Sequence, residues 1–233
     1  MELDLLSVTF WIAIGQIVLI DIVLSGDNAV VIALACRKLS PEQRRKGIFW
    51  GVAGAVGLRV VLTVFAALVM NLPWLKLVGG LLLFWIAIKL LLPEDEDRHD
   101  IESAAHLWGA VKTIVIADFV MSLDNVIGVA GAAYGSLLLL LFGLAVSIPL
   151  IILSSQLILH WMERWPAIIL FGAGLLGYVA GQMIFSDPGI VGVLPPLPQW
   201  SAKVAGGMGA LLVVGVGRWL EQRILARRDA TVV

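Results

Sequence analysis

The chain has 233 residues, of which 60% are hydrophobic and 14% charged, with a formal net charge of −1. A soluble domain is about half apolar and about a quarter charged, and a chain of this length cannot hide such an apolar excess in one core. Composition therefore excludes an ordinary soluble fold in favour of one solvated by lipid, and the near-zero net charge gives no ground for a nucleic-acid partner.

A helix needs about 20 apolar residues to cross the hydrocarbon core. Seven segments qualify: Leu6–Cys36, Ile48–Met70, Trp74–Leu92, Leu107–Ala133, Ser136–His160, Ala167–Phe185 and Ala202–Arg223. They predict an all-α membrane protein of seven transmembrane helices. The first stretch is too long for a signal-peptide core and is preceded by Glu2 and Asp4, so no cleaved signal is expected. Cys36 is the only cysteine, which excludes an internal disulfide. Eight of the nine tryptophans fall near proposed membrane interfaces, where amphipathic rings prefer to sit; Trp85 does not. The connector 93–106 is acidic, and Ser186–Trp200 is Pro-rich and turn-like. With seven crossings, Arg37, Lys38, Arg44, Arg45, Lys46, Arg98, Lys112, Arg164 and the C-terminal arginines fall on one face, against Lys76 and Lys203 on the other. That asymmetry predicts an N-terminus outside and a C-terminus in the cytoplasm.

Two segments repeat. Asp21-x-x-x-Ser25-Gly26-Asp27-Asn28 returns as Asp118-x-x-x-Ser122-Leu123-Asp124-Asn125, offset by 97 residues at every shared position. Each copy opens a three-span unit. Because three is odd, the second unit should run through the membrane the other way, which is the inverted-repeat design of many transporters, with a midplane site. The expected organisation is a first three-helix repeat in 1–92, an acidic cytoplasmic loop in 93–106 and a second, inverted repeat in 107–185. An extracytoplasmic loop, the seventh helix and a basic tail fill 186–233.

Each carboxylate in the bilayer core costs roughly 2.5–3.5 kcal/mol. Four of them need compensation, and one buried cation, Arg59, cannot neutralise them all. The motifs are therefore read as a metal site in which Asp21, Asp27, Asn28, Asp118, Asp124 and Asn125 are the ligands. Ser25, Ser122, Arg59 and Gln156 are secondary candidates, the last two related by the same 97-residue offset. Arg59 could tether an aspartate when no ion is bound. Carboxylates, amide carbonyls and hydroxyls suit hard divalent ions, and no histidine or cysteine lies near either motif. On an ideal helix Asp21, Ser25 and Asn28 share a face while Asp27 does not, so a helix break at Ser25–Asn28 is expected, less firmly in the second copy where Leu123 replaces Gly26. Gly79, Gly80, Gly172, Gly174 and Gly177 fit close helix packing, and Pro149 should kink the fifth span.

The paired motifs resemble those of the TerC family of bacterial membrane proteins, in particular its short members, over roughly residues 5 to 223. The resemblance implies inverted three-helix repeats related to the lysine-exporter superfamily, and manganese export. It carries the family's acidic motif onto Asp21, Asp27, Asp118 and Asp124, with Asn28 and Asn125 beside them. The expected function is secondary export of a divalent cation, Mn²⁺ ahead of Ca²⁺, with protons as one coupling option. The alternative is a membrane subunit that hands metal to secreted proteins or a secretion partner; an intramembrane aspartate enzyme is the third reading and the least favoured. No resident cofactor is expected. The partners are the lipid bilayer of a bacterial inner membrane, the metal ion and, as an option, further copies of the chain.

Overall fold

A backbone in lipid must satisfy its own hydrogen bonds, so helices are what such a composition should form. The computed structural model describes residues 8–65, 72–92, 103–132, 137–193, 198 and 200–231, and its elements among these are all helical. They are α1 (Val8–Cys36), α2 (Pro41–Val64), α3 (Leu75–Leu91), α4 (Ser103–Ala132), α5 (Leu137–Arg164), α6 (Ala167–Phe185), the short α7 (Pro188–Val191) and α8 (Trp200–Thr231). Among the described residues α2, α4, α5, α6 and α8 are long and apolar enough to cross a membrane.

Two differences from the expected boundaries have simple causes. Helix α2 begins seven residues before Ile48, because Ser40 caps it by accepting from the Gln43 N–H and Pro41 occupies the first turn. An exposed Lys46–Glu42 pair at 2.8 Å supports the added turns. The expected break at Ser25–Asn28 is absent: α1 is helical through the motif, as α4 is through Ser122–Asn125. Unwinding would expose backbone groups that lipid cannot satisfy. Pro149 lies inside helix α5.

Contacts divide the chain into two compact units, Met1–Asn71 with Gly109–Leu159, and Leu72–Trp108 with His160–Val233. In the first, α2 turns a small-residue face to α4. A Cβ on Gly51 would lie 2.6 Å from Ile114 Cδ1, and one on Gly54 would lie 2.8 Å from Val115 Cγ2. Two turns on from Gly51, Arg59 meets Asp118 and Ser122. The contacts advance in the same direction on both helices, so α2 and α4 run parallel here.

The second unit is built on α3, α6 and α8. Gly177 packs on the backbone of Gly209, where a Cβ would come within 2.6 Å of the carbonyl oxygen, and Gly174 faces Val214. The register runs antiparallel. In lipid such pairing of small residues replaces the hydrophobic effect as the source of helix association. Gly80 and Gly177 take part as expected, while Gly181, Gly206 and Gly209 extend the contact.

The start of α3 shows a cap that arrives from a distance. Trp74, in the left-handed region at φ 70°, supplies no side-chain cap. Instead the buried Asp187 carboxylate accepts from the N–H groups of Trp74 (2.9 Å), Lys76 (3.0 Å), Leu77 (3.1 Å) and Gly189 (2.7 Å). Burial alone would raise the Asp187 carboxyl, but the backbone N–H groups of Trp74, Leu77, Gly189 and Ile190 together hold it below the ordinary carboxylate value. Asp187→Ala is expected to destabilise the protein by about 1–3 kcal/mol, through N–H groups left without an acceptor. A depressed folded-state pKa contributes stability above the unfolded value of about 3.9, and that contribution is lost as pH falls through the folded value. Melting curves in detergent should show a constant gap between wild type and variant from about pH 8 to 5, closing below about pH 4.

Candidate metal-binding site

The site lies in the first unit, on α1, α2 and α4. The buried stripe of α2 is mostly small and apolar, through Gly47, Ile48, Gly51, Val52 and Ala55, until it reaches Arg59. Only 3% of Arg59 is exposed, and its Nη2 donates to Asp118 Oδ1 at 2.5 Å. Ser122, one turn beyond Asp118, is wholly buried; its hydroxyl accepts from Arg59 Nε and donates to Asp118 Oδ2, both at 3.2 Å. Guanidinium, hydroxyl and carboxylate thus close a ring inside a candidate span. Each charge lowers the cost of burying the other.

Asp118 also lines a cavity of about 10 Å³ with Asn28, Val31 and Ile32 of α1, Ala55 of α2 and Ile114 of α4. That is about the room one water-sized sphere needs. Asn28 is 4% exposed, and among the described residues neither its amide oxygen nor its amide nitrogen has a hydrogen-bond partner. A buried amide left unpaired costs about 1–3 kcal/mol, and an unpaired carbonyl oxygen beside a carboxylate is a donor set for a hard cation. Asn28 comes from the first motif copy and Asp118 from the second, so the cavity joins the two. Asp27, half-buried, accepts the Asn28 N–H at 2.9 Å and lies within electrostatic reach of Asp118 and Arg59.

Of the residues read from the sequence, Asn28, Asp118, Ser122 and Arg59 are brought together and Asp27 stands beside them. The side chains of Asp21, Ser25, Asp124 and Asn125 lie outside the described residues. Gln156, the repeat counterpart of buried Arg59, is exposed on α5. Among the described residues no three of histidine, cysteine, aspartate and glutamate form a cluster, so the described part of the site is one carboxylate, one amide and one hydroxyl, with a second carboxylate adjacent. Sequence reading missed the walls Val31, Ile32, Ala55 and Ile114. The i, i+4 spacing of Ile114, Asp118 and Ser122 was the available signal for one of them.

Residues 6–225 match the profile of the family described as "Integral membrane protein TerC family". The chain is 46% identical over 178 residues to the uncharacterized membrane protein YjbE of Bacillus subtilis, covering 76% of this chain and 81% of that one. It is 26% identical over 194 residues to the inner membrane protein YgdQ of Escherichia coli, again covering 76% and 81%. No solved structure matches.

Proposed function

The chain belongs to the TerC family of integral membrane proteins, and on that footing we propose that it is a secondary transporter that exports a divalent cation, Mn²⁺ first, through a site made by both motif copies. The observation that carries this reading is the cavity shared by Asn28 of one copy and Asp118 of the other. A cation there would meet carboxylate and amide oxygens and no soft ligand, which suits Mn²⁺, Mg²⁺ or Ca²⁺.

The topology we propose is seven spans in two inverted three-helix repeats plus a C-terminal helix, with the N-terminus outside and the C-terminus cytoplasmic. The parallel course of α2 and α4 supports it, because helices separated by one intervening span must point the same way. In the proposed set Asp21, Asp27, Asp118 and Asp124 supply charge, Asn28 and Asn125 supply amide oxygens, and Ser25 and Ser122 orient the carboxylates.

The purified protein in liposomes with a trapped metal-sensitive dye should pass Mn²⁺ faster than empty liposomes. Flux should rise with an imposed gradient and saturate with Mn²⁺ concentration. Saturable Mn²⁺ binding with no flux would favour the metal-delivering membrane subunit; neither binding nor flux would end the metal reading.

A further inference from the structure

We propose that Arg59 is the built-in counter-cation of this site: it holds Asp118 while no metal is bound and is displaced from that carboxylate when a divalent cation enters. The inference rests on reading the Asn28–Asp118 cavity as a cation site.

The pair is not placed as a purely structural ion pair would be. Asp118 uses Oδ1 for Arg59 and Oδ2 for the Ser122 hydroxyl, yet it also forms part of the wall of a cavity whose other polar group is the unpartnered amide of Asn28. A dication bound to Asp118 and Asn28 would share the carboxylate with a guanidinium already on it. Two cations on one carboxylate, in surroundings of low dielectric, repel strongly. Occupation by one must therefore weaken the hold of the other.

The geometry also offers the displaced guanidinium a place to stay. Arg59 Nε donates to Ser122 Oγ independently of the Nη2 bond to Asp118. The side chain can loosen one arm while the other remains anchored one helical turn away. Arginine alone has this fork; the lysine ammonium is a single point charge and cannot hold two partners in the same planar geometry. A counter-cation of this kind neutralises Asp118 in the empty site and keeps the loaded site from binding its cargo too tightly to release it.

If the competing arm is engaged in 90–99% of empty molecules, removing it should tighten apparent metal affinity by about 10- to 100-fold. The test is Mn²⁺ binding to full-length purified protein, followed by the electron paramagnetic resonance of free Mn²⁺, for wild type, Arg59→Gln and Arg59→Lys, each checked for monodispersity. Arg59→Gln should bind tighter than wild type, with Arg59→Lys between the two. Unchanged or weaker binding in Arg59→Gln would overturn the proposal, as would Arg59→Lys matching wild type while Arg59→Gln tightens, since charge alone would then suffice. Should Arg59→Gln not fold, Arg59→Lys decides: affinity above wild type supports the displacement, and equal or lower affinity overturns it. Absence of Mn²⁺ binding in every form would bring down the metal reading and this inference with it. Saturable binding in wild type with no gain in either variant would bring down this inference alone.

Discussion

Arg59→Met is expected to destabilise the folded protein by about 3–5 kcal/mol, because it leaves the Asp118 carboxylate buried without its partner. Asp118→Leu alone should cost a similar amount by taking the carboxylate away from a guanidinium that is only 3% exposed. The double variant Arg59→Met with Asp118→Leu should recover most of the loss, since two apolar side chains of similar volume carry no desolvation cost. The measurement is a double-mutant cycle on reversible unfolding in mixed micelles without divalent metal. Near-additive losses would mean that the Nη2–Oδ1 bond is not what compensates these two charges. A large coupling with the double variant near wild type would show that the pair contributes little net stability. Its retention would then need a reason other than stability, and competition with a bound cation supplies one.

What the sequence made legible follows the range of the forces involved. Spans set by apolar length are read well: α6 spans Ala167–Phe185 as expected, and α3 differs from Trp74–Leu92 by one residue at each end. The start of α2 was displaced because a local signal, Ser40-Pro41-Glu42-Gln43, outweighs hydropathy, and that signal was available. The cap on α3 was not, since its acceptor, Asp187, stands 110 residues or more from the N–H groups of Trp74, Lys76 and Leu77. The site shows the same division. The duplicated motif identified Asn28 and Asp118 because four polar residues recurring inside apolar runs is improbable by chance. The burden of compensating those charges pointed to Arg59, but which aspartate it meets depends on how closely α2 and α4 approach. That approach is set by Gly51 and Gly54 against Ile114 and Val115. The expected break in α1 failed for a related reason: turn-favouring residues state a local preference, and the hydrogen bonding that lipid demands of a backbone overrides it.

Asp27→Asn and Asp118→Asn are both expected to reduce Mn²⁺ flux in liposomes to that of empty vesicles, while affecting stability in opposite ways. Asparagine keeps the shape of aspartate but removes the negative charge that offsets the dehydration of a dication. Loss of an outer partner of a metal ligand costs about 10–100-fold, so loss of a charged ligand should reach at least the upper end of that range. The two positions then part company. No ion pair joins Asp27 to a basic residue among the described residues, and its carboxylate oxygen accepts from the Asn28 N–H. The asparagine side-chain oxygen can accept that bond as well, and a charge is taken out of the membrane, so metal-free Asp27→Asn should melt at or above the wild-type temperature. Asp118 carries the Arg59 guanidinium and the Ser122 hydroxyl. Asparagine there takes away the carboxylate charge that Arg59 Nη2 meets, so metal-free Asp118→Asn should melt below wild type. Loss of flux in both variants with opposite stability shifts would separate the transport role of these aspartates from the structural role of one of them. Wild-type flux in either variant would remove that residue from the proposed ligand set. A stability loss in Asp27→Asn as large as that in Asp118→Asn would mean that Asp27 has a buried cationic partner of its own.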